Sequence, residues 1–434
     1  MVRRPKSLGL FELVAICLGG MIGGGIFSIL GVAVEKVGNA APIAIAIGAG
    51  LALCAAFSYA RLATYYEDEG ATYSFFKRTY PRAPRAAAIV GWLVVFGYIS
   101  TLALYSFTFA SYVGSLYSPH RGMHAALSAG VLLVFAVLNI VSVKGMGKVE
   151  DLLVYTKIAA MLVVTGVLFF TGSAENAMPM LTFKPGSILL VAALTFVAFE
   201  GFQLAIHAYE EVDNPRKNVP RAIYLSILLA AGLYVIMAEG ALWALNKGQI
   251  IADREFALAA GASAVLGPGG YWLMLAAAIM ATSSAVSGTL FGASRLAAVI
   301  AEDHLLPDFL AKRSSEKVPA NAIIVLSILA WLLVLSDKLE LIIEFGSLTF
   351  ICVSLLMAIA NFRVRKHTGT SVPAALLAIV SLAAAGACIV GWQAVEQPVH
   401  LAVTLCVAVA LGAGASWFAA RKIRRRAGSH TDSA

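Results

Sequence analysis

Gly19-Gly20-Met21-Ile22-Gly23-Gly24-Gly25-Ile26-Phe27 sits in the middle of a long apolar stretch running from Leu10 to Ala33. Each glycine weakens a helix by roughly 1 kcal/mol relative to alanine, so this cluster makes the turn ready to unwind. At membrane depth, unwound backbone is tolerated only where it is buried in protein or lines a wet cavity. A helix N-terminus freed there presents unpaired N–H groups and a positive dipole end, which suits an anionic group such as a carboxylate. The same glycines would equally serve close helix packing of the GxxxG kind, and the run alone leaves both readings open.

The rest of the chain supplies the membrane context. Of its 434 residues, 60% are hydrophobic and only 13% are charged, about half the charged fraction of an ordinary soluble domain. The apolar residues come in separated runs of roughly twenty, the length a helix needs to cross about 30 Å of hydrocarbon. Spans are expected over Leu10 to Ala33, Ala41 to Ala63, Ala86 to Leu116, Met123 to Val143, Val149 to Thr171 and Ser187 to Tyr209. A second set follows over Ala222 to Leu245, Gly270 to Ile300, Ala320 to Ser336, Leu341 to Phe362, Pro373 to Val395 and Val399 to Ala420. The fold class is therefore all-α integral membrane, with twelve transmembrane helices. The basic start, Met1 to Lys6, precedes an apolar run without a small-residue cleavage site, so the first span is read as retained.

Charge placement sets the orientation and removes one class of partner. The net charge is +8, but the basic residues sit in short loops and not in a basic domain, so no nucleic acid is expected. Lys36, Arg121, Lys184, Lys247, Arg254 and Lys338 fall on one face and Lys157 inside a span; the remaining Lys and Arg gather on the face of the N-terminus. Both termini are thus expected in the cytoplasm of a multi-pass plasma-membrane protein. The C-terminal Arg421-Lys422-Ile423-Arg424-Arg425-Arg426 run reads as a topology anchor that also attracts anionic headgroups. All five cysteines lie in apolar runs without CxxC spacing, so neither a disulfide framework nor a metal site is indicated. No cofactor is expected.

Span 6 repeats the anomaly of span 1. Its centre, Phe196-Val197-Ala198-Phe199-Glu200-Gly201-Phe202-Gln203, puts an acid beside a glycine at a depth where ionisable residues are costly and by default functional. Interrupted spans 1 and 6 occupy matching places in two sets of five, and an odd count inverts the second set. That is the pattern of inverted-repeat transporters, whose broken helices meet at a midplane site.

Here the sequence resembles a known family. Gly20-Met21-Ile22-Gly23-Gly24-Gly25-Ile26-Phe27 looks like the first-helix motif of the amino acid, polyamine and organocation transporters, and Glu211 to Ala222, with Asn214-Pro215 at its centre, looks like their signature after helix 6. Ser294-Arg295, Ala301-Glu302-Asp303, Leu306-Pro307 and Val318-Pro319 match the family's helix 8 to 9 loop. The resemblance implies a five-plus-five inverted repeat with two extra helices, and alternating access around one central site. It divides the chain into a cytoplasmic tail (1–9), a first repeat (10–172), an extracellular loop (173–186), a second repeat (187–362), two added helices (373–420) and a basic cytoplasmic tail (421–434).

The resemblance also implies substrate binding at Ile22, Gly23, Gly24, Gly25, Phe196, Phe199, Glu200 and Gly201, with the amino and carboxylate groups of the substrate held by unwound backbone. Two departures stand out. Glu69-Gly70-Ala71-Thr72-Tyr73 keeps only part of the family's loop pattern, and Glu200 stands where other members often carry an apolar residue. Gly24 is expected to lie against the substrate.

Lys157 lies well inside span 5. It could be a lysine snorkelling to the interface; in some family members a lysine stands here in place of a sodium ion, and those members are proton-coupled. In that reading Lys157 is the coupling group, bonded to backbone carbonyls of span 1 and to the Ser283 and Ser284 hydroxyls of span 8. On periodicity alone the two serines could equally be helix–helix contacts. His207 reads as a buried polar contact, and Glu239 and Glu344 stay open between pathway and structural roles. The function expected is a secondary active transporter of amino acids or related amines, with substrate, protons and lipid as its partners. An exchanger or polyamine permease of the same fold is the near alternative, and a non-transporting receptor or scaffold the distant one. No HExxH motif or nucleophile–base pattern supports an enzyme.

Overall fold

The computed structural model describes residues 8–117, 121–141, 146–178, 185–245, 247–253, 257–314 and 318–431. Most of the expected N-terminal tail, part of the expected 173–186 loop, Lys184, Arg254 and the side chains of Arg424 to Arg426 lie outside the described residues.

The described chain is helical, with a single isolated bridge between Leu8 and Val212. In order, the helices are α1 (Leu10–Met21), α2 (Gly24–Val37), α3 (Ala41–Tyr66), α4 (Ala71–Thr79), α5 (Pro84–Gly114), α6 (Arg121–Val141), α7 (Met146–Thr171), α8 (Pro185–Leu194) and α9 (Leu204–His207). The second half holds α10 (Pro215–Ala244), α11 (Lys247–Asp253), α12 (Ala257–Leu266), α13 (Pro268–Glu302), α14 (Ala320–Val334), α15 (Leu339–Arg363), α16 (Arg365–Thr368), α17 (Val372–Glu396) and α18 (Pro398–Thr431). Six of the long helices, α3, α5, α10, α13, α17 and α18, carry proline in their first turn, where a missing N–H costs nothing.

Among the described residues, ten helical runs are long and apolar enough to cross a membrane, and α1 and α14 are shorter apolar helices. The loops are more ordered than apolar patterning indicates. The loop after span 2 folds into α4, which buries Tyr73, Phe75 and Phe76 and closes with Lys77 and Arg78 in its last turn. The connection after span 7 forms α11 and α12, each too short to read as a span.

Between lipid and helix both surfaces are apolar, so close approach through small residues, and not the hydrophobic effect, holds such a bundle. A Cβ on Gly97 of α5 would fall 2.9 Å from the Phe350 ring of α15, and one on Gly414 of α18 would fall 2.8 Å from Trp92. α10 packs on α3, α13 on α5, and α15 on both α5 and α17. The run from Pro185 to His207 is almost wholly enclosed, whereas few residues of that from Pro398 to Lys422 are buried. The interrupted helices thus occupy the centre and α18 the rim.

Candidate functional site

α1 ends at Met21 because the chain leaves helical geometry at Ile22 (φ −80°, ψ 75°) and Gly23 (φ −122°, ψ −143°), and α2 restarts at Gly24. The second break follows α8. A 3-10 turn over Thr195–Phe199 gives way to extended backbone at Glu200 and to Gly201 at φ +130°, before α9 resumes at Leu204. Gly201 needs its missing side chain twice over: this φ excludes L side chains, and a Cβ would fall 2.7 Å from the Gly20 carbonyl carbon and the Met21 nitrogen. The two breaks therefore touch backbone to backbone.

The carbonyls freed at the first break are taken up by side chains from three other helices. Lys157 of α7, fully buried, donates to Gly19 O at 3.1 Å and Ile22 O at 2.7 Å, and to Ser284 Oγ of α13 at 3.2 Å. Tyr105 of α5 donates to Gly20 O at 2.8 Å. Tyr234 of α10 spans both breaks, with its hydroxyl 2.7 Å from Met21 O and 3.2 Å from Ala198 O. Buried carbonyls without partners would cost about 1–3 kcal/mol each, so these three donors, with Ser284 fixing Lys157, hold the break open as a defined shape. At the second break, Ser347 of α15 donates to Leu194 O at 2.6 Å and accepts from Val197 N–H at 3.3 Å.

The donors freed at the first break differ from the acceptors. α2 starts at Gly24 with Gly23 as its N-cap and no side-chain cap, so its first-turn N–H groups are the positive end of a helix at the centre of the protein. Phe196 and Phe199 are both buried beside it, and Phe199 packs against the Tyr234 ring at 5.4 Å between centroids. Glu200 is 3% exposed, and neither of its carboxylate oxygens has a hydrogen-bond partner among the described residues.

Two expectations need adjustment. Gly24 does not open onto free space: a Cβ there would meet Thr108 Oγ1 at 2.6 Å, Thr108 Cβ at 2.9 Å and Tyr105 Cα at 3.1 Å, so its side-chain direction is filled by α5. Gly23 and Gly25 likewise abut Ala285 and Ala198. The run thus serves close packing and helix interruption together, and a large residue at Gly24 would disturb packing before it reached any ligand. Of the serine pair, Ser284 accepts from Lys157, while Ser283, one position earlier and turned by the helical twist, is half-buried.

Sequence reasoning missed Tyr105, Thr108, Tyr234 and Ser347. The available signal was a phenol inside an apolar run, since a buried tyrosine hydroxyl needs a partner. It also left Glu344 without one. Glu344 accepts from Gln393 Nε2 at 2.6 Å and lies 3.1 Å from His400 Nδ1, in a buried cluster joining α15, α17 and α18. Glu239 accepts from Trp243 Nε1 at 3.0 Å one helical turn along. His207 pairs through Nδ1 with the Glu69 carbonyl at 2.9 Å, tying the end of α9 to the segment before α4. Among the described residues no group of three or more His, Cys, Asp or Glu side chains could hold a metal ion.

At one end of the bundle Asp303, which follows α13, gathers three elements. It accepts from Tyr73 Oη at 2.6 Å and from Lys77, both on α4, and lies 3.6 Å from Lys422 of α18. Burial alone would raise its carboxyl, but the Lys77 and Tyr73 hydrogen bonds and the Lys422 charge outweigh it and hold the group below the usual aspartate range. Burial and the same hydrogen bond push the Tyr73 hydroxyl well above its ordinary value.

Comparison with known proteins finds similarity over nearly the whole chain. The family model described as amino acid permease matches residues 8–419. An inner membrane transport protein of Escherichia coli is 27% identical over 375 residues, covering 85% of this chain and 86% of its own. A branched-chain amino acid permease of Bacillus subtilis is 27% identical over 378 residues, covering 80% and 79%. The large neutral amino acids transporter small subunit 2 of Rattus norvegicus is 29% identical over 373 residues, covering 81% and 68%.

Proposed function

The chain belongs to the amino acid permease family, and from that premise we propose that it moves amino acids across the cell membrane by alternating access, coupled to protons through Lys157. It is a multi-pass membrane transporter and not an enzyme. The finer architecture in this proposal is a twelve-span chain of two inverted five-helix repeats, in which α1 with α2 and α8 with α9 are the broken helices. The short α14 counts as the ninth span, and α17 and α18 are the additions. Both termini face the cytoplasm of the plasma membrane.

The observation that carries the reading is the meeting of two buried helix breaks whose acceptors are already held and whose helical N-terminus is not. An uncapped N-terminus at Gly23 to Gly25 attracts a carboxylate, and Phe196 and Phe199 offer an apolar wall beside it. Relatives named for branched-chain and large neutral amino acids make a hydrophobic α-amino acid the first substrate to test.

Lys157 supplies the coupling. As an ammonium it ties the end of α1 to α13 through three acceptors. As a neutral amine it loses its charge and one donor, so the α1–α13 contact weakens. A proton shifts a conformational equilibrium only through such a differential interaction.

The test is uptake of labelled leucine, alanine and lysine into proteoliposomes with an acid exterior. Accumulation that collapses with a protonophore supports the reading. Intact substrate that equilibrates but never concentrates under a proton gradient removes the coupling, and no uptake of any amino acid removes the function.

A further inference from the structure

We propose that Glu200 is the receptor for a ligand ammonium group, so that the site is read by a side-chain carboxylate and not by backbone carbonyls alone. This rests on the permease reading above and adds to it the group that recognises the amine.

Five carbonyls at the two breaks are already engaged. Gly19 and Ile22 accept from Lys157, Gly20 from Tyr105, and Met21 and Ala198 from Tyr234. Two of them already face a cationic side chain, which repels a second ammonium. Glu200 presents the opposite situation. It sits in the second break beside Gly201, itself in backbone contact with Gly20, and both of its oxygens are buried without a hydrogen-bond partner among the described residues.

Two neighbouring hydroxyls are engaged elsewhere: Tyr105 bonds Gly20 O and Tyr59 shares a hydrogen bond with Thr72 at 3.0 Å. Gln203 accepts the Gly201 N–H through Oε1 at 3.3 Å, which leaves its neutral Nε2 as the nearby amide donor and supplies no charge. A carboxylate in low-dielectric surroundings requires a compensating cation and donors. A bare proton would neutralise Glu200 but leave a buried hydroxyl still seeking an acceptor. An ammonium brings the charge and three donors at once. With the uncapped α2 N-terminus close by, since Gly25 packs on Ala198, the two breaks present an anion-seeking and a cation-seeking end to one zwitterion.

The ammonium can come from the α-position or from a cationic side chain, and the test separates them. Equilibrium binding to the purified full chain is measured for leucine, lysine, 1,5-diaminopentane and 4-methylpentanoate, in wild type, Glu200→Gln and Glu200→Asp. Loss of a charged hydrogen-bond partner should weaken amine ligands by about tenfold or more in Glu200→Gln. Glu200→Asp should recover part of that, and 4-methylpentanoate, which lacks an amine, should respond equally in all three. If leucine and lysine weaken together, the α-ammonium is the group bound. If lysine and 1,5-diaminopentane alone weaken, it is the side-chain ammonium. Amine affinities within twofold of wild type in a Glu200→Gln protein of normal thermal stability overturn the assignment, even if its pH profile changes. A wild-type chain that binds and moves no amino acid overturns the permease reading and this assignment with it, whereas a Glu200→Gln transporter with amine affinities within twofold of wild type overturns only the assignment.

Discussion

The Lys157 Nζ lies 2.7 Å from the Ile22 carbonyl oxygen, across 135 positions of sequence, at the point where the first broken helix stops. The same nitrogen reaches Gly19 O and Ser284 Oγ, so one side chain joins α1, α7 and α13.

Lys157→Ala removes all three bonds. At about 1 kcal/mol or less per hydrogen bond in a membrane, the protein should still insert and fold, with a lowered melting temperature. Substrate binding should survive in part, while accumulation driven by an imposed pH gradient is lost. Unaltered gradient-driven accumulation and pH dependence would mark Lys157 as structural.

Tyr234→Phe keeps the ring packed on Phe199 but deletes the hydroxyl that binds Met21 O and Ala198 O. Expected is a loss of about 1 kcal/mol in stability and a several-fold weaker apparent substrate affinity at normal expression. Affinity indistinguishable from wild type would mean that the bridge between the breaks is dispensable for binding.

Gly201→Ala combines a disfavoured φ with a 2.7 Å clash against Gly20 and Met21, the strain alone costing about 1–3 kcal/mol. Gly50→Ala, where a Cβ meets nothing within 4 Å, is the control and should be neutral or slightly stabilising. Size-exclusion profiles and thermal melts compare the two, and equal stability would contradict the backbone contact. Gly24→Leu belongs with Gly201→Ala as a packing lesion, because Thr108 fills the space it needs.

Asp303 yields a pH prediction of definite sign. Its folded carboxyl titrates below the ordinary range, so it adds stability above the unfolded value of about 3.9, and that contribution disappears as pH falls through the folded value. Asp303→Asn should cost about 1–2 kcal/mol at neutral pH and flatten the acid limb of stability below about pH 4. Thermal melts from neutral to acid pH in lipid nanodiscs measure both, and parallel profiles for wild type and variant would count against the cluster.

Local sequence determined the helical membrane class, most of the spans and the positions of the two interruptions. Hydrocarbon forces each segment to satisfy its own backbone, so apolar length and glycine content report directly on spans and breaks. The same reasoning singled out Lys157 and Glu200, since a charge at that depth stands out from any apolar run. Tertiary structure alone decided which atoms met. That Tyr105 and Tyr234 hold the Gly20 and Met21 carbonyls, that Ser284 accepts from Lys157, and that Thr108 fills the space beside Gly24 all depend on helix rotation and crossing. The partners lie 84 or more positions apart in the hydrogen bonds of this break. In a bundle held by close contact of small residues, a rotation of one helix position exchanges a packed face for a lipid-facing one, and no local pattern fixes it.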